Sequence, residues 1–461
     1  MSIDHAFIVP HPPLIIPEVG RGDRQKIRET IDALTKISSI IANIKPETVV
    51  IISPHSVMYG DYIHISPGSS AQGDFSCFGA PQMSINKQYD TELVSAICTE
   101  AENAGISAGI LGEKDKRLDH GTLIPLYFID QFDANYKIVR ISISGMSALE
   151  HYHFGSCINH AAERLGRRVV LVASGDLSHK LTEDGPYGFA KEGPEFDRQL
   201  TQALQTGDFM SLLRFDEAFT EAAAECGLRS FIEMAGAFDG RAVKSELLSY
   251  EGPFGVGYAV CAFTAAGKDE QRKFAERYRE EQFTMLEEIQ RGEDAYVKLA
   301  RQSLETYIHT GRPLKQPEGL PEGMTDLRAG VFVSLKKQGR LRGCIGTISA
   351  TEPSIAVEII RNAVSAGTGD PRFDPVTASE LSELVYSVDV LGEAEPISSM
   401  DELDPSRYGV IVSRGQRRGL LLPMLEGIDT PQQQVSIALQ KAGISRDEKY
   451  GLERFKVVRH K

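Results

Sequence analysis

The chain contains no tryptophan, only six cysteines, and no apolar stretch near the length of about 20 residues that a membrane-spanning helix requires. The cysteines form no CxxC pair and no spacing typical of a disulfide framework, which favours a reducing compartment. The N-terminal segment MSIDHAFIVP has neither the basic flank nor the apolar core of a secretory signal. We therefore expect a cytoplasmic protein with no membrane partner.

Basic residues are also in short supply. Lys and Arg total 50 against 64 Asp and Glu, which gives a formal net charge of −14. An acidic chain repels a phosphate backbone unless it carries a concentrated basic patch. The densest basic groups, at 336–342 and 414–418, are short and lie near predicted turns. We therefore expect no nucleic-acid partner.

The 461 residues, 41% of them hydrophobic, suffice for two or three globular domains. Residues 1–265 alternate β-branched apolar runs with segments of helical periodicity. This alternation predicts an α/β domain with a central, largely parallel sheet. Its expected strands are 6–9, 48–52, 138–143, 169–173 and 250–263, and its expected helices are 24–44, 92–104, 197–213 and 217–237.

The rest of the chain has a different composition. Residues 266–292 are dense in charged helix formers and predict a charged linker helix. Residues 293–461 combine hairpins and helices without strict alternation, which is typical of an α+β domain. We expect hairpins of 330–335 with 341–348 and of 408–412 with 419–422, a strand at 384–391, and helices at 295–309, 354–366 and 432–442.

Histidines are concentrated in the first domain, where nine of the eleven precede residue 180. His11, His55 and His179 each follow a predicted strand, and His120 opens a loop before an apolar segment. In open α/β sheets, ligands and catalytic groups gather at the carboxyl edge of the strands. A single histidine there is more often structural, but several at one edge predict a polar site.

Two imidazoles and one carboxylate on one face form a common cage for Fe(II) and leave positions open for substrate and dioxygen. The other two imidazoles would then be available for proton transfer near neutral pH. The carboxylate candidate lies in the first half of the expected helix 217–237, where Glu225 or Cys226 could face the site. The alternative is an ordinary exposed glutamate beside a buried cysteine.

The motifs VPHPPL, SPH, DHGTLIPL and SGDLSH, in this order, resemble those of the LigB-type class III extradiol ring-cleavage dioxygenases and the related MEMO proteins. The resemblance covers roughly residues 1–265. It implies that His11 and His55 bind the metal and that His120 and His179 act as acid–base or substrate-orienting groups. It also implies that Asp176 lies near the metal, where its alternative role is to cap the loop before a helix.

The third ligand differs between the two groups of proteins, and both versions are present here. The dioxygenases have a glutamate in this region, and the MEMO proteins have a cysteine followed by glycine. This chain has Glu225, Cys226 and Gly227 side by side. Glu225 would give a hard site for Fe(II), the cofactor that the resemblance implies, and Cys226 a softer site suited to another divalent metal. The implied substrate is a catechol or a related small molecule.

The C-terminal part resembles the AMMECR-one family through the motif Leu341–Thr347, supported by DPRFDP and RGLLLP. Cys344 could be a reactive thiol beside Arg342 and Arg372, or a buried structural cysteine. The two arginines could instead bind an anion or pair with carboxylates. The combination of both domains resembles fused proteins of the AmmeMemoRadiSam system, which implies radical SAM and MEMO-type partner proteins.

Three functions follow from these observations. The first is a dioxygenase-like oxidoreductase that uses Fe(II). The second is a metal-binding partner protein that has lost or changed this chemistry. The third is an interaction scaffold without metal, which gives no reason for imidazoles at several strand ends. The four histidines favour the first, and the Glu225-Cys226 pair favours divergence toward the second.

Overall fold

The computed structural model describes residues 3–112, 116–425 and 427–461. It forms two compact units, Met1–Glu280 and Glu281–Lys461. We expect residues 266–292 to form a linker helix, but the first of these residues belong to a strand that ends at Lys268. A helix covers Phe274–Gly292.

A six-stranded sheet organises the first unit. The strands of this unit are β1 His5–Val9, β2 Thr48–Ser53, β3 Ile63–His64, β4 Ser70–Phe75, β5 Ala80–Gln88, β6 Ala108–Gly109, β7 Lys137–Ser142, β8 Val169–Ser174, β9 Arg241–Glu251 and β10 Tyr258–Lys268. The main sheet has the order β7-β2-β8-β1-β10-β9, in which the first four strands are parallel and the last two antiparallel. The expected α/β fold with a largely parallel sheet is confirmed.

The parallel strands are buried because apolar clusters cover both faces of the sheet. Every residue of β2 and β8 is buried, which explains why their sequences are largely apolar and rich in β-branched residues. The helices of this unit are α1 Pro17–Gly20, α2 Arg28–Ile44, α3 Thr91–Asn103, α4 His120–Ile129, α5 Ala148–Leu165, α6 Glu192–Thr206, α7 Phe209–Leu213, α8 Glu217–Ala223 and α9 Leu228–Gly236.

The expected helix 217–237 is wrong, because the structure breaks it into α8 and α9. Ala224 ends α8 in the left-handed region at φ 54°. Gly227 then passes so close to the ring of Phe231 that a Cβ there would lie 2.5 Å from it. Glu225 and Cys226 therefore lie in a tight loop between two helices rather than on a helix face.

Three other expectations for this unit also need correction. The segment 250–263 is part of a long hairpin of β9 and β10 rather than one closing strand. The helix expected at 197–213 is interrupted by Gly207, which adopts a left-handed conformation at φ 67°. His120 is the first residue of α4 and does not lie in a loop. The hairpin of β4 and β5 was not expected.

The second unit contains two four-stranded antiparallel sheets, which confirms the α+β class. The turn between its first two strands has positive φ at both Gln338 and Gly339, as a two-residue type I′ hairpin requires. The remaining helices are α10 Phe274–Gly292, α11 Ala295–Thr310, α12 Glu322–Thr325, α13 Ile355–Thr368 and α14 Pro431–Ala442, and the strands are β11 Val331–Lys337, β12 Arg340–Gly346, β13 Leu384–Leu391, β14 Glu395–Ile397, β15 Gly409–Arg414, β16 Arg417–Leu421, β17 Gly451–Phe455 and β18 Val457–His460.

Within the described ranges of the chain, the structure has no helix with both the length and the hydropathy that crossing a bilayer demands.

Candidate metal centre

The first imidazole, that of His11, follows β1 and is buried. Its backbone N–H donates to a carboxylate oxygen of Asp176 at 2.8 Å. Its Nδ1 lies 2.9 Å from the hydroxyl of Ser174, the last residue of the neighbouring strand β8. With Nδ1 engaged in this way, Nε2 is the nitrogen directed at the centre of the site. Burial and the nearby histidines hold the pKa of His11 well below its usual value, so the ring is neutral at neutral pH.

His55 supplies the second imidazole from the loop after β2. Its Nε2 lies 2.9 Å from Nε2 of His11. Its backbone N–H donates to the Ser53 hydroxyl at 3.3 Å, and that hydroxyl donates to the Asp119 carboxylate at 2.5 Å. Burial lowers the pKa of His55, although the residue as a whole is exposed. The strand end thus fixes this imidazole while leaving it accessible.

The third donor is the thiol of Cys226. Its Sγ lies 3.6 Å from Nε2 of His11 and accepts the backbone N–H of Asp176 at 3.3 Å. One donor atom from each of His11, His55 and Cys226 falls within 4.8 Å of the others. Burial and the neighbouring carboxyls raise the pKa of the thiol well above its usual value. A metal would therefore have to displace the thiol proton.

Glu225, the other candidate for the third ligand, is directed elsewhere. Its carboxylate accepts the backbone N–H of Leu228 at 2.7 Å, which caps the start of α9. Burial raises its pKa to about 7. The structure therefore brings Cys226, and not Glu225, to the two imidazoles.

The donor set matches the dimensions of a metal site. A tetrahedral ion with nitrogen at about 2.0 Å and sulfur at about 2.3 Å separates these ligands by about 3.6 Å, the separation found between His11 and Cys226. The two imidazole nitrogens, at 2.9 Å, would move apart by about 0.4 Å for the same geometry. Two neutral imidazoles and a thiol fit a divalent transition metal.

His120 lies beside these donors. Its ring stacks on that of His55 with centroids 4.1 Å apart, and the ring of Phe78 meets it edge-on at 5.6 Å. It is placed there because Asp119 caps α4 through the backbone N–H and hydroxyl of Thr122. Burial, together with His55, lowers the pKa of His120 to about 4. His120 is thus a neutral base at physiological pH.

His179 is placed by the loop after β8. The backbone N–H of the preceding residue, Ser178, donates to the buried Asp197 carboxylate at 2.8 Å. The ring of Tyr187 lies 5.2 Å from that of His179. Within the residues that the structure describes, the buried Nε2 of His179 has no hydrogen-bond partner. Burial lowers its pKa to about 4, so this nitrogen is available to a ligand.

Buried acids surround the donors. Asp176, whose other carboxylate oxygen lies 3.8 Å from Nε2 of His11, has its pKa raised to about 7 by burial. Asp197 has the same elevated value for the same reason and accepts the Tyr250 hydroxyl at 2.7 Å. Sequence reasoning missed Asp197, because it lies on α6, far along the chain from every motif, and only its burial reveals it.

A cavity of about 280 Å³ opens beside the imidazoles of His55 and His120. It extends from His55 and His120 to the tip of the β4–β5 hairpin, so the hairpin supplies one wall. Its lining residues are His55, Ser56, Val57, Asp74, Ser76, Cys77, Phe78, Arg117, Leu118, Asp119, His120, Leu123 and Arg140. The volume suits a small molecule rather than a polymer.

The candidate residues of the second unit do come together. The Cys344 backbone N–H donates to Asp370, and its sulfur accepts the Ser334 hydroxyl at 3.2 Å. Both arginines, however, are held by carboxylates. Arg342 binds Glu380 through two nitrogens, and Arg372 binds Asp370 in the same way. The pairing of these arginines with carboxylates is thus observed.

Comparison with known proteins shows the class to which this architecture belongs. Residues 5–261 match the family described as the catalytic LigB subunit of aromatic ring-opening dioxygenase. Residues 297–460 match the AMMECR1 family, the AMMECR-one proteins of the sequence analysis. The chain belongs to the LigB family in its first domain and carries an AMMECR1 domain after it.

Among individual proteins, one from Clostridium acetobutylicum is 44% identical over 471 residues and is covered, like this chain, over 100% of its length. A protein from Thermotoga maritima is 49% identical over 172 residues, which is 37% of this chain and 99% of that protein. An uncharacterized Escherichia coli K12 structure has a TM-score of 0.39 at 16% identity, covering 56% of this chain and 99% of its own. The chain is therefore similar along its whole length to a protein with the same extent.

Proposed function

We propose that the first domain is a metal-dependent oxidoreductase that uses Fe(II), held by His11, His55 and Cys226, to act on a catechol or a related small aromatic molecule. The observation that carries this proposal is the convergence of three donor atoms within 4.8 Å at the carboxyl edge of the sheet. Membership of a family of aromatic ring-opening dioxygenases supports the reaction class. The cavity of about 280 Å³ supports a small substrate.

The protonation state of each side chain at the site determines the chemical role that it can take. His120 lines the cavity and is neutral, so it can accept a proton from a phenolic hydroxyl. His179 offers a buried nitrogen without a partner in the described part of the chain, and this nitrogen can orient an oxygen atom of the substrate. Asp176 holds the backbone of His11 in place. Bound iron would supply the centre at which the aromatic diol and dioxygen are brought together.

A second function is favoured by one specific observation. The third donor, beside the two imidazoles, is the thiol of Cys226 rather than the carboxylate typical of Fe(II) oxygenases. A softer site suits a metal-binding protein without ring-cleavage activity. In this alternative, the chain would act with radical SAM and MEMO-type partner proteins, as the combination of its two domains implies.

The deciding experiment measures the metal content of protein reconstituted with Fe(II) in the absence of oxygen. Wild type is expected to bind about one iron per chain, and His55→Ala is expected to bind none, because it removes one of three protein donors. His160→Ala is the matched control, since His160 is exposed on α5 and should leave the content unchanged. Equal metal content in wild type and His55→Ala would refute the site.

Turnover then separates the two functions. Wild-type protein with iron is mixed with catechols in the presence of dioxygen, and ring-cleavage products are detected by absorbance and mass. His120→Ala should keep its iron and lose turnover, because its ring lies beside the donor group without belonging to it. Iron binding without turnover of any catechol would favour the partner-protein function.

A further inference from the structure

A second group of buried polar side chains lies on α9, away from the three metal donors. Ser230 and Glu233 are three residues apart and so share one side of this helix. Both are fully buried. Among the described residues, neither the Ser230 hydroxyl nor either carboxyl oxygen of Glu233 has a hydrogen-bond partner. Native proteins leave few such atoms unsatisfied, and each one requires an explanation.

The nearest titratable group is His151 on α5, but it cannot neutralise Glu233. Its Nε2 lies 3.7 Å from a Glu233 oxygen. Its Nδ1 lies 2.9 Å from the Ser147 carbonyl, which can only accept, so Nδ1 carries the hydrogen. Its Nε2 accepts the backbone N–H of Ser144 at 3.1 Å. His151 is therefore fixed as a neutral ring, and a charged ring would oppose the Ser144 N–H.

The two helices that carry these residues pack closely against each other. Gly155 on α5 and Gly236 on α9 bring the two backbones into direct contact, and a Cβ at Gly155 would lie 1.9 Å from the Glu233 carbonyl oxygen. Burial raises the pKa of Glu233 well above its usual value. An isolated carboxylate in such surroundings would be very costly, so the neutral acid is the stable form.

We propose that Glu233, Ser230 and His151 line an internal water-binding site in which Glu233 is a neutral carboxylic acid hydrogen-bonded to the bound water. Side chains three residues apart on a helix are separated by about 5–6 Å between Cβ atoms, a span that one or two waters bridge. Such a water gives the acid hydrogen an acceptor and the Ser230 hydroxyl a partner. The competing ligand is a cation, which would require Glu233 to be ionised.

Infrared spectroscopy at about pH 9 tests the protonation state, because the other acids with elevated pKa are ionised there. These acids, Asp176, Asp197 and Glu225, have pKa values of about 7. Wild type should retain the C=O stretching band of a protonated carboxyl, and this band should vanish in Glu233→Gln. Glu225→Gln is the control and should leave the band unchanged. A wild-type spectrum without this band would overturn the proposal and indicate an ionised Glu233.

The water itself is tested by a high-resolution crystal structure of the full chain. A density peak within hydrogen-bonding distance of both a Glu233 oxygen and the Ser230 hydroxyl is expected, and it should be weaker or displaced in Ser230→Ala. An empty space, or a peak with the short distances of a cation, would overturn the assignment. The wild-type spectrum and the wild-type crystal together decide the question even if Glu233→Gln fails to fold.

Discussion

The affinity of the metal centre should rise with pH, and Cys226 should be the cause. Both imidazoles are already neutral above about pH 6.5, since their pKa values are lowered, so they release no protons on binding. The thiol of Cys226 has its pKa raised well above 9.0 and must lose its proton to become a ligand. Each unit of pH below that pKa therefore changes the apparent affinity about tenfold, or about 1.4 kcal/mol.

The measurement is a chelator competition for Fe(II) without oxygen, at about pH 7.5 and about pH 8.5, where the Asp176 carboxyl is largely ionised. Wild type should bind about tenfold more tightly at the higher pH. Cys226→Ser should bind more weakly, and its affinity should be nearly independent of pH. Cys77→Ser, which removes an exposed thiol, and Glu225→Gln serve as controls that keep the wild-type slope.

The assignment of the third ligand would be refuted by either of two results. The first is an unchanged slope in Cys226→Ser, which would mean that the released proton comes from another group. The second is a loss of affinity in Glu225→Gln with none in Cys226→Ser. The second result would transfer the role to the carboxyl that now caps α9.

Three further changes test how the site and its supports are built. Asp119→Ala should cost about 1 kcal/mol of stability by removing the cap of α4, as measured by urea unfolding, and should loosen His120, as measured by reduced turnover. Gly155→Ala should destabilise the first domain by about 1–3 kcal/mol or more, because the added Cβ would clash with the Glu233 carbonyl oxygen. This loss of stability would be measured as a lower melting temperature. Asp370→Ala should destabilise the second unit by about 1–3 kcal/mol, because it removes the acceptor of the Cys344 N–H, whereas the half-exposed Arg372 can be solvated by water. Differential scanning calorimetry would show this loss.

Much of the fold could be predicted from periodicity, and the reasons are visible in the buried strands. β2 and β8 are buried at every residue, so their sequences are largely apolar and easily recognised. The hairpin of β11 and β12 could be predicted because its sequence has a glycine at the turn between two apolar segments. By contrast, β4 has alternate exposed positions and polar residues, which left the β4–β5 hairpin without a clear signal.

The sequence alone could not identify the third donor, because the helical periodicity of the sequence continues across the break in the chain that precedes α9. Ala224 is a good helix former, yet it adopts a left-handed conformation. The close approach of Gly227 to Phe231 is a tertiary contact, which no local pattern records. Moving these residues from a helix to a loop changes which of Glu225 and Cys226 points toward His11.

Charge balance at the site bears on what it can bind. With neutral imidazoles, a divalent ion and the Cys226 thiolate leave one positive charge, and an ionised Asp176 removes it. Burial raises the pKa of Asp176 to about 7 in the metal-free site, and a divalent ion beside it would favour the ionised carboxylate. A deprotonated catechol is attracted to the positive form and much less to the neutral one. Proton acceptance by His120 within the cavity would let the substrate arrive neutral and ionise only when bound.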